Sequence, residues 1–130
     1  MKWQETKLTD FKNLQLPTTP NYCLVCPNCN GKLQIKAPQF TLSTSELQQK
    51  WNTMIAQQPR VKLIKHEGDR YRYVQRSKVF RFPDIIDVEF IKIDATHSSL
   101  NALSRSVYGY SDFGVNYDRL KSWITILTQL

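Results

Sequence analysis

The chain has 130 residues, of which 41% are hydrophobic and 22% charged, and its net charge is +7. A chain of this length and apolar content has enough residues for one core and too few for two, so we expect residues 1–130 to form a single domain. Its uncharged stretches do not supply the ~20 apolar residues of a membrane helix, so we expect no membrane span in this chain.

Residues 1–20 show no sustained hydrophobic period and end with two prolines, Pro17 and Pro20, which remove backbone donors. We therefore expect an extended arm, followed by the domain proper over residues 21–130. The segment also lacks the apolar centre of a secretory signal, which predicts a cytoplasmic protein. An exported or membrane-associated protein is the alternative if a leader has been removed.

Three cysteines follow the arm in a C-x-x-C-x-x-C pattern, at Cys23, Cys26 and Cys29. Closely spaced thiolates can bind zinc or an iron–sulfur cluster, but no fourth ligand follows, because the only histidines are His66 and His97. We therefore predict no metal and no other cofactor, with a site on these cysteines as the weaker alternative. Free thiols are expected in the cytoplasm, and a Cys23–Cys29 disulfide with Cys26 free is expected after export.

The first helix is predicted from Thr44 to Gln57. Ser43 has the character of an N-cap, and Glu46 completes a capping box with it. Apolar residues recur at helical spacing on one face, so we expect this face to pack on a core. These residues are Leu47, Trp51, Met54 and Ile55.

Beyond Pro59 the hydrophobic period changes to two, which indicates strands at about 61–66, 70–82, 85–93 and 99–108. Their connections are short, and parallel pairs need long crossovers, so the four strands are expected to form an antiparallel meander. In the second strand the alternation places Tyr71 and Tyr73 toward the core and the arginines on the other face. His97 is read as a turn residue with no acid or cysteine beside it.

A second helix is predicted with Asn116 as its N-cap and an apolar face on one side. The face consists of Leu120, Trp123, Ile124 and Leu127. We therefore predict a two-layer α+β fold, in which a four-stranded antiparallel meander carries both helices on one face in the order α-β-β-β-β-α. The extended N-terminal arm and the cysteine-containing loop precede it.

Residues 104–119 crowd polar and turn-forming side chains between the last strand and the last helix. Gly109 and Gly114 bracket Ser111 and Asp112, which indicates a turn whose backbone needs conformations that side chains forbid. We expect Asp112 to organise this corner by accepting backbone amides of the turn or by pairing with Arg119 or Arg105.

The same stretch resembles the C-terminal signature of the family called domain of unknown function 1499, whose pattern runs S-x-S-R-x-G-x-S-D-x-G-x-N-x-x-R. Val107 stands where the family has its arginine, and Arg105 is the candidate substitute. The cysteine pair and the segments 76–77 and 82–90 support the resemblance, which extends over residues 20–127. The family comprises uncharacterised bacterial and plastid-type proteins, so the resemblance implies a fold and a candidate site without a reaction.

The first functional hypothesis is a ligand- or protein-binding module with an anion-accepting corner, because arginines, hydroxyls and helix N-terminal amides suit an anion. Its partner would be a small anionic ligand or a protein. For each residue the competing interpretation is a structural role in the cap or turn. The candidate ligand-binding residues are Arg76, Ser104, Arg105, Ser106, Tyr110, Ser111, Asp112, Asn116 and Arg119.

A second hypothesis is nucleic-acid or anionic-surface binding through the basic hairpin 60–81, whose eight cations and two acids give it a charge of +6. The simpler interpretation of this charge is the solvated face of a sheet.

A third hypothesis, less favoured, is an enzyme that uses Asp84, Asp87 or Asp112 beside Ser111 or Tyr110. Asp84 and Asp87 are three positions apart on a predicted strand and so fall on opposite faces, which disfavours paired acid–base chemistry.

Overall fold

The computed structural model describes residues 2–129; Met1, in the predicted arm, and Leu130, at the end of the predicted domain, lie outside the described residues. The fold is α+β, with two α-helices and a six-stranded mixed sheet. The elements are β1 (Tyr22–Cys26), β2 (Gln34–Lys36), α1 (Thr44–Ala56), β3 (Val61–Glu67), β4 (Arg70–Arg76), β5 (Pro83–Lys92), β6 (Ser98–Ser106) and α2 (Val115–Gln129).

The prediction of a four-stranded meander is wrong, because two further strands extend the sheet. The strand order is β2-β1-β6-β5-β4-β3, in which β1 runs parallel to β2 and all other neighbours are antiparallel. The strand β1 was missed because Tyr22–Cys26 is covered on both faces and so lacks the alternation that marks a half-buried strand. The predicted second strand was also too long, because β4 ends at Arg76 and residues 77–82 form a loop.

Both helices contribute to one core against the sheet, in agreement with their predicted apolar faces. The capping box between Ser43 and Glu46 is confirmed, with hydrogen bonds of 3.1 and 2.9 Å. Trp51 lies at the centre of the core, where its Nε1 donates to the Tyr73 hydroxyl at 3.0 Å. Its ring also meets Trp123 edge to face at 5.8 Å, which joins α1 to α2.

The opposite face of the sheet is covered by the N-terminal arm, so the solvated face that the sequence suggested is wrong for β4. The arm contains short 3-10 turns at Trp3–Glu5 and Phe11–Asn13. Arg72 is only 1% exposed there and forms a two-point ion pair with Asp87, with N–O distances of 2.7 and 2.8 Å. Arg72 also donates to Thr6, and Asp87 accepts from Thr9, so the buried pair holds the arm to the sheet.

The cysteines form neither the free thiols expected in the cytoplasm nor the Cys23–Cys29 bridge expected after export. The disulfide joins Cys26 to Cys29, whose Cα atoms are 5.1 Å apart, and Cys23 is the free cysteine. Successive side chains of a strand point to opposite faces, so Cys23 packs in the helix-side core while Cys26 packs on the arm side. The three sulfur atoms therefore do not converge on one point.

Candidate functional site

Two loops meet at one end of the sheet, and we call them the 77–82 loop and the 107–114 loop. The first connects β4 to β5, and the second connects β6 to α2. They are adjacent because Asp84 pairs with Ser106 in the sheet and Val107 donates its backbone N–H to the Pro83 carbonyl at 3.3 Å. This end of the sheet contains most of the residues predicted to form the anion-accepting corner, which we call the polar corner.

Asn116 is the centre of the polar corner and is completely buried. Its Oδ1 accepts from the Ser104 hydroxyl at 2.6 Å, and its Nδ2 donates to the Ser106 hydroxyl at 3.0 Å and to the Asn21 carbonyl at 3.2 Å. The prediction that Asn116 is the N-cap is wrong, because α2 begins one residue earlier, at Val115. The side chain instead ties the first turn of α2 to β6 and to the start of β1.

Arg119 completes the network one turn further along α2. Its guanidinium donates to the Ser104 hydroxyl at 3.0 Å and to Asn116 Oδ1 at 2.8 Å. It also forms a largely buried ion pair with Asp84 at 2.7 Å and a hydrogen bond with Gln75. Arg119 therefore has acceptors on β4, β5, β6 and its own helix, and it fixes α2 to the sheet.

Asp112 accepts backbone amides of the turn, as predicted. Its Oδ1 accepts from Gly114 N at 2.8 Å, and its Oδ2 accepts from the backbone and side-chain nitrogens of Asn116 at 3.1 and 2.6 Å. No ion pair joins it to Arg119, whose acid partner is Asp84. Gly109 has φ 90° and Gly114 has φ 83°, so both glycines of the signature occupy left-handed positions.

The structure brings five of the nine candidate residues into one network, and four lie elsewhere. The network contains Ser104, Ser106, Asp112, Asn116 and Arg119. Arg76 and Arg105 point to the arm side of the sheet, where Arg76 lies 5.9 Å from the Trp3 ring. Tyr110 and Ser111 are exposed in the 107–114 loop.

Sequence reasoning missed three members of the network. Gln75 and Asp84 bind Arg119 from neighbouring strands, and no local pattern pairs them with a residue so far along the chain. Asn21 contacts both ends of the corner, because its carbonyl binds Asn116 and its Nδ2 donates to the Gly109 carbonyl at 2.6 Å. It lies where the arm enters β1, a strand that was not predicted.

The surface of this end is unusually apolar. Among residues 2–129, seven of the ten large hydrophobic side chains that are exposed lie on the two loops or at the first residue of α2. We call this set the aromatic end; it consists of Val79, Phe80, Phe82, Tyr108, Tyr110, Phe113 and Val115. Phe113 is 94% exposed, and Phe80 stacks on Phe82 at 5.6 Å instead of packing in the core. A cleft of about 440 Å³ separates the two loops.

Each loop also contains a bulky residue in the left-handed region of backbone conformation. Arg81 has φ 61° and Phe113 has φ 53°. Such conformations cost on the order of 1–3 kcal/mol for a residue other than glycine. The surrounding hydrogen bonds hold these loops in place: Ser77 binds Phe82 through both its backbone N–H and its hydroxyl.

The basic hairpin 60–81 is less available to solvent than its composition suggests. Arg72 is buried in its ion pair, and Lys65 donates to a backbone carbonyl of the arm at 3.3 Å. Lys78 and Arg81 are exposed, and both lie on the 77–82 loop beside the aromatic end. Two of the exposed cations of the hairpin therefore adjoin the apolar surface, while Arg60 and Lys62, at the start of the hairpin, are exposed as well.

The candidate catalytic groups are not arranged as a set. Asp84 and Asp87 face opposite sides of the sheet, as predicted, and each is bound by an arginine. Ser111 accepts from the Phe113 backbone at 3.3 Å and has neither histidine near it. His97 was expected without an acid beside it, but its Nδ1 lies 2.8 Å from Asp94 in the β5–β6 turn.

Residues 2–129 contain no helix of the length and hydropathy that crossing a membrane requires. Within the same residues, no three His, Cys, Asp or Glu side chains are grouped as metal ligands would be.

Comparison with known proteins supports the resemblance seen in the signature. A search of the curated proteins finds no match. The family described as "Protein of unknown function (DUF1499)" matches residues 15–127, which includes every strand and nearly all of α2. The match spans most of the chain, so this protein belongs to the DUF1499 family.

Proposed function

We propose that this protein is a binding module that docks on an anionic lipid surface through the aromatic end. The observation that carries the proposal is the concentration of exposed apolar side chains on two adjacent loops. Scattered exposed hydrophobic residues are normal on a soluble protein, whereas a contiguous set indicates an interaction site.

The shape of the aromatic end favours a lipid surface over a flat protein partner. Phe113 and Phe80 are 94% and 75% exposed, so their rings project from the loops and have little contact with the rest of the protein. Projecting rings can enter the boundary between headgroups and acyl chains, where burial of apolar area contributes about 25 cal/mol per Å². Tyr108 and Tyr110 suit the same boundary, because a tyrosine ring is apolar and its hydroxyl is polar.

The exposed cations of the 77–82 loop complement an anionic surface. Lys78 and Arg81 are exposed between the apolar side chains, and each cation near an anionic leaflet contributes about 1 kcal/mol. The nearby acid Asp84 is paired with Arg119, and Asp112 is bound to amides of its own turn. Because both carboxylates are already bound, they repel anionic headgroups less strongly than free carboxylates would.

The polar corner contributes to this function indirectly, by stabilising the loops that form the contact surface. Its hydroxyls, amides and guanidinium bind one another, and Arg119 has four partners within the protein. This internal use of the network argues that the contact surface is the loops. The loops keep their shape because the network anchors the start of α2 to the sheet.

Vesicle sedimentation tests the proposal. The protein should sediment with vesicles made of equal parts phosphatidylglycerol and phosphatidylcholine, and weakly with phosphatidylcholine alone. Phe113→Asn should reduce sedimentation, because asparagine accepts the left-handed conformation and removes only the apolar ring. Ile93→Asn is the matched control, since Ile93 is an exposed apolar residue at the opposite end of β5.

Lys78→Gln should weaken sedimentation, and high salt should do the same, because both remove attraction to the headgroups. Equal sedimentation of Phe113→Asn and Ile93→Asn would show that the aromatic end is not the contact. Absence of sedimentation at low salt would reject lipid docking and favour a protein partner for the same loops.

A further inference from the structure

A second concave site lies on the arm side of the sheet. A cavity of about 390 Å³ separates β6 from residues 9–17 of the arm. Its apolar walls include Leu14, Pro17 and Leu103, and its polar lining includes Arg105. The volume falls in the range of sites for small molecules. The cavity exists because the arm crosses this face without filling it.

Arg105 is the unusual group in this cavity. The residue is half-buried, and its guanidinium has no hydrogen bond or ion pair with any side chain or carbonyl among residues 2–129. Loss of hydration on burial lowers the pKa of Arg105, an effect opposed by the negative charge of Asp87 and increased by the positive charge of Arg72. Both oxygens of Asp87 already bind Arg72, so Asp87 does not serve as a direct partner.

We infer that this cavity binds an organic monocarboxylate, with its carboxylate on Arg105 and its apolar part against Leu14 and Leu103. A guanidinium offers two parallel N–H donors that match the two oxygens of a carboxylate. Burial removes part of the hydration of this cation, and an anion in the cavity supplies the acceptors that the protein does not. The apolar walls favour a ligand with a short hydrocarbon part over an inorganic anion.

Asp10 limits the charge of the ligand. It lies at the rim, where its carboxylate accepts from Asn13 Nδ2 and Lys12 N, each at 3.0 Å. These hydrogen bonds, the one from Asn13 first, lower the pKa of Asp10, so a fixed negative charge adjoins the entrance. A dianion such as phosphate would be repelled more strongly than a monocarboxylate. The cavity therefore selects a single negative charge.

Calorimetric titration of the full chain with hexanoate tests this site. Hexanoate should bind in a saturable manner, and hexanol and inorganic phosphate should bind at least about tenfold more weakly. Arg105→Met should abolish hexanoate binding, and Arg105→Lys should weaken it, because lysine keeps the charge and loses the two-point geometry. Lys62→Met, which removes an exposed cation of β3 outside the cavity, is the control and should bind as the parent does.

Two further results separate binding from a structural role of Arg105. Arg105→Met should melt at or above the temperature of the parent, since no partner in the protein loses a hydrogen bond. Asp10→Asn should bind hexanoate more tightly, because the amide keeps an acceptor for Lys12 N and removes the opposing charge.

The inference is overturned if hexanoate does not bind, if Arg105→Met binds as tightly as the parent, or if Asp10→Asn binds more weakly. A large drop in the melting temperature of Arg105→Met would likewise contradict it, because Arg105 would then have a structural partner. None of these outcomes depends on the aromatic end, which lies at another surface of the sheet.

Discussion

Arg72 on β4 and Asp87 on β5 face each other across neighbouring strands and form an ion pair whose residues are 1% and 3% exposed. The pair is covered by the N-terminal arm, because Arg72 donates to the carbonyls of Thr6 and Lys7 and Asp87 accepts from Thr9. A buried charged pair thus holds the arm to this side of the sheet, beside a small apolar cluster that includes Leu24 and Leu103.

Removing one partner of this pair should destabilise the protein strongly. Asp87→Ala leaves Arg72 as an uncompensated buried charge, which typically costs about 3–5 kcal/mol of unfolding free energy. The double variant Arg72→Met with Asp87→Leu should recover most of that loss, because neither charge remains. Urea unfolding measures both effects, and equal losses in the single and double variants would contradict this explanation.

Replacement of Asp112 should lower the unfolding free energy, and the loss should be larger when more of its hydrogen-bond acceptors are removed. Asp112→Ala leaves Gly114 N and Asn116 N without their acceptor, and loss of a buried hydrogen-bonded partner costs on the order of 1–3 kcal/mol. Asp112→Asn keeps one acceptor oxygen and should cost less. Denaturant unfolding checks the order of the two variants; an Asp112→Ala protein as stable as the parent would contradict the organising role.

Thiol counting should show one disulfide and one buried free thiol. The unreduced protein should show no reactive thiol when folded, one when denatured, and three after reduction, because Cys26 and Cys29 are bridged and Cys23 is buried. Two reactive thiols in the denatured, unreduced protein, with Cys23 bridged to another chain, would contradict the pairing. Three reactive thiols without reduction would contradict it as well.

The buried thiol should also make stability depend on pH in the alkaline range. Burial, followed by the negative charge of Asp112, raises the pKa of Cys23 to about 12. The folded protein keeps this thiol neutral at pH values at which the unfolded chain ionises it, so its contribution to stability is complete below pH 9.0 and is lost as the pH rises toward 12. The unfolding free energy should therefore fall less steeply over this range in Cys23→Ala than in the parent; parallel curves would contradict the shift.

Phe113→Asn should leave stability unchanged or raise it by up to about 1 kcal/mol, because asparagine tolerates a positive φ better than phenylalanine does. The exposed ring has little packing to lose. Thermal unfolding measures this, and a clear loss of stability would show that Phe113 packs on the protein instead of serving as a contact surface.

The helices and the central strands were predictable because their residues carry local signals. Ser43 and Glu46 mark the start of α1, and the alternation in β4 correctly placed Tyr73 in the core. The signature of residues 104–119 likewise marked five residues of the polar network. In these segments the chemistry that forms the structure lies within a few residues of sequence.

The remaining features depend on contacts between distant segments. Arg72 looked solvated, since alternation cannot reveal that an arm more than 60 residues earlier covers its face. The strand β1 was interpreted as a cysteine-containing loop, because both of its faces are buried and its sequence therefore lacks the alternation of a half-buried strand. The aromatic end was not predicted, because residues 77–82 were assigned to a strand. The chain instead turns at Ser77, and this turn exposes Phe80 and Phe82.

Hydrogen–deuterium exchange with and without phosphatidylglycerol vesicles tests lipid docking most directly, because it reports which backbone segments the surface protects. We expect added protection in residues 77–82 and 107–114, with little change in β3 or in the β5–β6 turn. Protection of the β3–β4 hairpin without the 107–114 loop, or no protection at all, would contradict docking through the aromatic end.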